Sequence, residues 1–118
     1  MDRINAFAQE LKQLPQSDPE RTVAFRFLLH LVGDLHQPLH AADHGDQGGN
    51  KVLVSSGISP RTETLHSFWD QRTVAALGKN PAAIAAVLDK RYGAQCPGWM
   101  LGSVADWAME TFAVASNV

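Results

Sequence analysis

A single cysteine, Cys96, stands in a chain of 118 residues, which excludes an internal disulfide and any thiolate-rich zinc cage. A metal held by this sequence must be held by nitrogen and oxygen. Charge of one sign is also lacking: 10 basic against 12 acidic side chains leave a formal net charge of −2. That excludes the broad positive surface with which proteins grip duplex nucleic acid in a salt-sensitive way. No apolar run approaches the length of a membrane span. The opening stretch MDRINAFAQELKQLP is amphipathic and mixed in charge, so no export signal is read in it. What remains, 45% hydrophobic and 19% charged, is the composition of a soluble globular domain with one modest core.

Helical periodicity dominates the chain. Ile4, Phe7, Ala8 and Leu11 recur at helical spacing behind Asp2, and LPQSDPE then breaks the pattern and restarts it, with Asp18 as cap and Pro19 at the first helical position. Val23, Ala24, Phe27, Leu28, Leu31, Val32 and Leu35 predict a second helix with a continuous apolar stripe, ending where Pro38 disfavours helix at Gln37. Residues 41–63 turn to Gly, Asp, Ser and Pro and read as a long functional loop, in which KVLV is a strand or half of a small hairpin. A third helix is expected from near Thr64 to Gly78, and a fourth from Asn80-Pro81 to about Tyr92-Gly93. The segment GWMLGSVADWAMETFAVASNV supplies a fifth. The fold class is therefore all-α, a multi-helix single domain with a long Gly-rich loop or small β-hairpin.

The chain has five histidines, and HLVGDLHQPLH, residues 30–40, holds three of them with an aspartate. Residues four apart share a helix face, so His30 and Asp34 present an imidazole and a carboxylate to a common point. His66 and Asp70 repeat the spacing in LHSFWDQ, and His40 lies just past Pro38, where the chain has left the second helix. Zinc favours imidazole nitrogen and carboxylate oxygen, and a catalytic site uses three protein ligands with a position left for water. His40, His66 and Asp70 fill that inventory; His30 and Asp34 are two ligands of a neighbouring ion, which an aspartate can bridge. Close metal pairs suit phosphate-ester hydrolysis. The bland reading is that each pair is only a helix-face contact. His36 points about 120° from His30 and reads as supporting or exposed, and His44 as solvated. GDQGGN either brings backbone amides near a phosphate or base or is only a turn. Phe68 and Trp69 stack on a base or belong to the core, and Trp99 and Trp107 are assigned to packing.

Taken together, FLLHLVGDLHQPLHAADHGDQGGNKVLV and TLHSFWDQ resemble the central signature of the S1/P1 nuclease family, trinuclear zinc enzymes that share a mostly helical fold with bacterial zinc phospholipase C. The matching elements are His30, Asp34, Gln37-Pro38-Leu39-His40, Gly48-Gly49-Asn50 and Leu65-His66-Ser67-Phe68-Trp69-Asp70, with Thr64 where asparagine is usual. The resemblance implies that His40, His66 and Asp70 hold one zinc alone. It places His30 and Asp34 in a close zinc pair bridged by Asp34, the catalytic aspartate, and Asn50 beside the substrate. The implied reaction is hydrolysis of phosphodiester bonds in single-stranded DNA or RNA to leave 5′-phosphates, by a secreted or periplasmic enzyme with no membrane partner. Family ligands expected upstream have no counterpart, since no histidine precedes His30 and the chain opens on Met1 rather than tryptophan. Residues 1–118 are thus expected to be the C-terminal portion of a longer nuclease domain, with one full zinc site and a half-built pair. The alternatives are a non-catalytic zinc-binding or interaction module and a phospholipase-like phosphoesterase.

Overall fold

The structure, a computed structural model, describes residues 2–55, 57 and 62–117. In chain order the elements are α1 (Asp2–Gln13), α2 (Pro19–Leu35), α3 (Pro38–Ala41), β1 (Leu53–Val54), β2 (Glu63–Thr64), α4 (Leu65–Ser67), a π-helical segment (Phe68–Arg72), α5 (Thr73–Leu77), α6 (Pro81–Tyr92), a 3-10 turn (Gly93–Gln95), α7 (Cys96–Trp99) and α8 (Val104–Ala115). The all-α class is observed, with one two-stranded ribbon. Of the expected loop 41–63, Ser56 and residues 58–61 lie outside the described residues. The chain gathers into two compact units, Met1–Ala42 with Ser103–Val118, and Asp43–Gly102.

In the first unit, capping fixes where each helix begins. Asp18 is extended and its carboxylate accepts the Glu20 N–H at 2.9 Å, while Pro19 sits at the first turn, where no N–H is needed. The Arg21 guanidinium reaches back to the carbonyls of Leu11 and Leu14, closing the open end of α1 against α2. Phe7 and Phe27 stack at 5.2 Å, and Ile4 and Ala24 are buried. Helix α2 stops at Leu35, two residues before the expected boundary, with the His36 N–H on the carbonyls of Val32 and Gly33. Gln37 then repeats the capping device: its side-chain oxygen accepts the Leu39 N–H at 2.5 Å and Pro38 opens the single turn α3. Both α2 and α3 pack on α8, whose Val104 and Thr111 are buried.

The apolar stripe of α2 is covered on one side only. Ala24 is buried and Leu28, Leu31, Val32 and Leu35 are half-buried, but Val23 and Phe27, expected in the core, are 42% and 49% exposed. Phe25 and Leu29, outside the stripe, are exposed as well, so the helix is apolar on nearly every face. Such a helix is normally buried all round.

Helix α8 begins with a capping box: the Asp106 N–H donates to Ser103 Oγ at 3.2 Å, and the Ser103 N–H and O–H both donate to Asp106 Oδ2 at 2.7 Å. The Ser103 hydroxyl and then its N–H hold the Asp106 carboxyl below its ordinary value of 3.8. A depressed carboxyl stabilises the fold above its unfolded value and ceases to do so as pH falls through the folded one. Ser103→Ala is expected to cost about 1 kcal/mol of stability at neutral pH. It should also move the onset of acid unfolding to higher pH, both read by circular dichroism.

In the second unit, β1 pairs antiparallel with β2, Leu53 opposite Thr64 and Val54 opposite Glu63, as the KVLV alternation allows. Thr64 ends the ribbon and caps the helix that follows, its Oγ1 accepting the Ser67 N–H at 3.1 Å. Glu63 on β2 accepts the Arg72 Nε–H through both oxygens, at 2.9 and 3.1 Å, and fixes the helix against the strand it leaves. Asn80 caps α6 through the N–H groups of Ala82 and Ala83, and Pro81 opens it, as expected. Trp99, assigned to packing, is 57% exposed, although its ring tilts against Tyr92 at 5.8 Å. The four-residue helix that carries Trp99 is too short to bury it.

Candidate metal centre

On the first unit, one helical turn brings His30 Nε2 to 3.3 Å from Asp34 Oδ2 at an exposed face. The face continues N-terminally into a hollow of about 340 Å³ lined by Val23, Arg26, Phe27 and His30. His40 follows in α3, where its Nδ1 lies 3.0 Å from the backbone carbonyl of Asp34. A carbonyl only accepts, so Nδ1 carries the proton of the neutral ring and Nε2 carries the lone pair. His36 turns elsewhere, as expected: its Nδ1 donates to Val32 at 2.7 Å and its ring tilts against Trp107 at 6.1 Å.

On the second unit, His66 is fixed by the glycine-rich loop. Its Nδ1 donates to the Gly48 carbonyl at 2.8 Å, and its Nε2 lies 3.5 Å from Asp70 Oδ2. The same tautomer follows, and it sets two lone-pair atoms face to face, since neither bare Nε2 nor a carboxylate can donate. Asp70 lies within the π-helical segment, where the Thr73 N–H reaches the Phe68 carbonyl in a widened turn. Phe68 and Trp69 are half-buried there, and the Trp69 carbonyl also accepts the Thr73 hydroxyl at 2.5 Å.

Both pairs pass a geometric test for zinc. Two ligand atoms each about 2.1 Å from a tetrahedral ion lie about 3.4 Å apart. The separations are 3.3 Å in His30–Asp34 and 3.5 Å in His66–Asp70. A histidine ligand characteristically donates its other ring N–H to a carbonyl or carboxylate, which His40 and His66 both do.

The loop itself is closed on its own amides. Asp43 Oδ1 accepts the N–H groups of Gly45, Asp46 and Gly48 at 3.0, 3.1 and 3.3 Å, and Asp46 Oδ1 accepts that of Gly49 at 2.9 Å. Of the two readings of GDQGGN, the turn is the one observed, because these amides are turned inward and not toward a phosphate. Asn50 is exposed, its Nδ2 donating to the Gln47 carbonyl at 2.9 Å, and His44 is exposed as expected. Asp43 and the Gly48 carbonyl were not singled out in the sequence. An aspartate two residues before a glycine is the signal that could have found them, because it closes an Asx-turn.

The family model described as S1/P1 Nuclease matches residues 1–118. The chain belongs to the S1/P1 nuclease family. Nuclease P1 of Penicillium citrinum is 29% identical over 109 residues, which cover 84% of this chain and 39% of that protein. Endonuclease 5 of Arabidopsis thaliana is 32% identical over 87 residues, 66% of this chain and 29% of the relative. Nuclease S1 of Aspergillus oryzae is 40% identical over 47 residues, 40% of this chain and 15% of the relative. The chain thus spans well under half the length of these S1/P1 relatives. Among the described residues of this S1/P1 family member, no helix is long and apolar enough to cross a membrane.

Proposed function

We propose that this chain is the C-terminal, zinc-binding portion of an endonuclease that hydrolyses phosphodiester bonds of single-stranded DNA or RNA to leave 5′-phosphates. The observation that carries the reading is His66, whose Nδ1 is committed to the Gly48 carbonyl while Nε2 faces Asp70 at a zinc-like separation. By the family resemblance His40, His66 and Asp70 hold one zinc, and two imidazoles with a carboxylate are the donor types that zinc favours. His30 and Asp34 contribute to a second centre, with Asp34 the shared carboxylate, and Asn50 lies beside the substrate. Zinc, when bound, supplies Lewis acidity that activates water and neutralises charge on the departing oxygen. The side chains orient it: carbonyl contacts at Nδ1 of His40 and His66 keep Nε2 of each ring basic and aimed. By family resemblance the enzyme acts outside the cytoplasm.

The test is zinc content per chain together with cleavage of a labelled single-stranded oligonucleotide, in parallel with a duplex and with phosphatidylcholine. One tightly held zinc is expected in this chain, whose paired site is half-built, and release of 5′-phosphorylated fragments from the single strand is expected of the longer enzyme that supplies the remaining ligands, with activity lost to a chelator and restored by zinc. Zinc bound without turnover would make the chain a non-catalytic metal-binding module. Hydrolysis of the lipid alone would move it to the phospholipases.

A further inference from the structure

We infer that Asp43 is a positioning residue for His66, acting through the two sides of Gly48; the inference rests on His66 being a zinc ligand. Gly48 donates its N–H to Asp43 Oδ1 at 3.3 Å and accepts the His66 Nδ1–H on its carbonyl at 2.8 Å. The neighbouring Gly49 carbonyl accepts the N–H groups of Val52 and of His66 itself, at 3.3 and 3.4 Å. Ring and backbone of His66 are therefore held by the two peptide units that follow Gly48, whose own N–H Asp43 accepts, while Asp46 accepts the Gly49 N–H of the first of them.

The loop needs such an anchor. Gly45, Gln47, Gly48 and Gly49 all have left-handed backbone, with φ of 79°, 60°, 59° and 80°. Gln47 lacks the conformational freedom of glycine, and a side-chain-bearing residue stays there only when its surroundings enforce it. Three N–H groups converging on one carboxylate oxygen supply that enforcement, and the same contacts, Gly48 foremost, lower the Asp43 carboxyl from its ordinary value. Oδ1 of Asp43, already accepting three N–H bonds, is a poor ligand for a cation.

The test compares Asp43→Asn, which keeps an acceptor oxygen in place, with Asp43→Ala, which removes it. The ring nitrogens of His66 are read by nitrogen-15 NMR in the metal-free chain, and zinc affinity is read by competition with a chelating dye. Wild type and Asp43→Asn are expected to show the Nδ1–H tautomer and zinc affinities within about threefold of each other. Asp43→Ala should mix the tautomers and weaken zinc about 10- to 100-fold, the usual effect of losing a group that orients a ligand. If Asp43→Ala loses helix by circular dichroism, Asp43→Ser, whose hydroxyl accepts one N–H, takes its place with an intermediate effect expected. An unchanged tautomer and affinity in these variants, or equal loss in Asp43→Asn and Asp43→Ala, would overturn the inference. The ligand reading fails separately, if His66→Ala binds zinc as wild type does, and the tautomer measurement still decides the role of Asp43.

Discussion

Zinc affinity is expected to fall by more than about 100-fold when His66 is replaced by alanine, because loss of a ligand exceeds the 10- to 100-fold effect of losing its support. The nitrogen removed is the one whose direction the fold specifies, with Nδ1 spent on Gly48 and Nε2 turned to Asp70. Asp70→Ala should lose zinc to a similar extent. Asp70→Asn should recover little, since an amide oxygen carries no net charge to offset that of the ion. Calorimetric titration with zinc checks all three. His36→Ala is the control, because that ring bonds to Val32 and lies against Trp107. Zinc retained by His66→Ala would leave the His66–Asp70 pair as an ordinary helix-face contact.

Asp34→Ala should be the costliest single change for turnover. On the proposed reading Asp34 would serve both ions of the close pair and not the lone site, and the Lewis-acid contribution of such a pair is several kcal/mol. At about 1.36 kcal/mol per tenfold, cleavage of single-stranded DNA should drop by about 10²-fold or more, beyond the loss from His30→Ala. Folding should survive, because the side chain is 44% exposed at the surface of α2. His40 is held by the backbone carbonyl of Asp34, which alanine retains, so the variant isolates the carboxylate. Single-turnover cleavage with zinc content measured in the same samples separates metal loss from loss of chemistry. Wild-type cleavage by Asp34→Ala would remove the residue from the reaction.

The helices were legible wherever a boundary is set by a residue touching its own neighbours. Asp18-Pro19 and Asn80-Pro81 each place an acceptor and a ring at the positions a first turn requires, and both helices start there. Pro38 was read as ending a helix at Gln37; α2 stops two residues earlier, and Pro38 opens α3 instead, since proline is as good at a first turn as it is bad inside one. What was hidden depends on distant partners or on small backbone differences. A π turn keeps nearly the helical period, so FWDQR carries no separate mark. The outward turn of Val23 and Phe27 is invisible because α2 is apolar at 25 and 29 too, so periodicity leaves more than one apolar face to choose from. The two His-x-x-x-Asp pairs were visible as spacing. The Gly48 carbonyl that picks the tautomer of His66 was not, because a backbone group has no letter in the sequence.

The widened turn at residues 68–72 also makes this stretch a counting device. One bond there spans five residues instead of four, so the chain carries a surplus residue in the segment that holds Asp70, ahead of Thr73–Leu77. Deleting Gln71 would remove the surplus and let the segment close into ordinary α-helix, with the residues beyond it kept near their present facing, because the wide turn is what absorbs the extra residue. Length at this point is therefore as much a part of the design as composition.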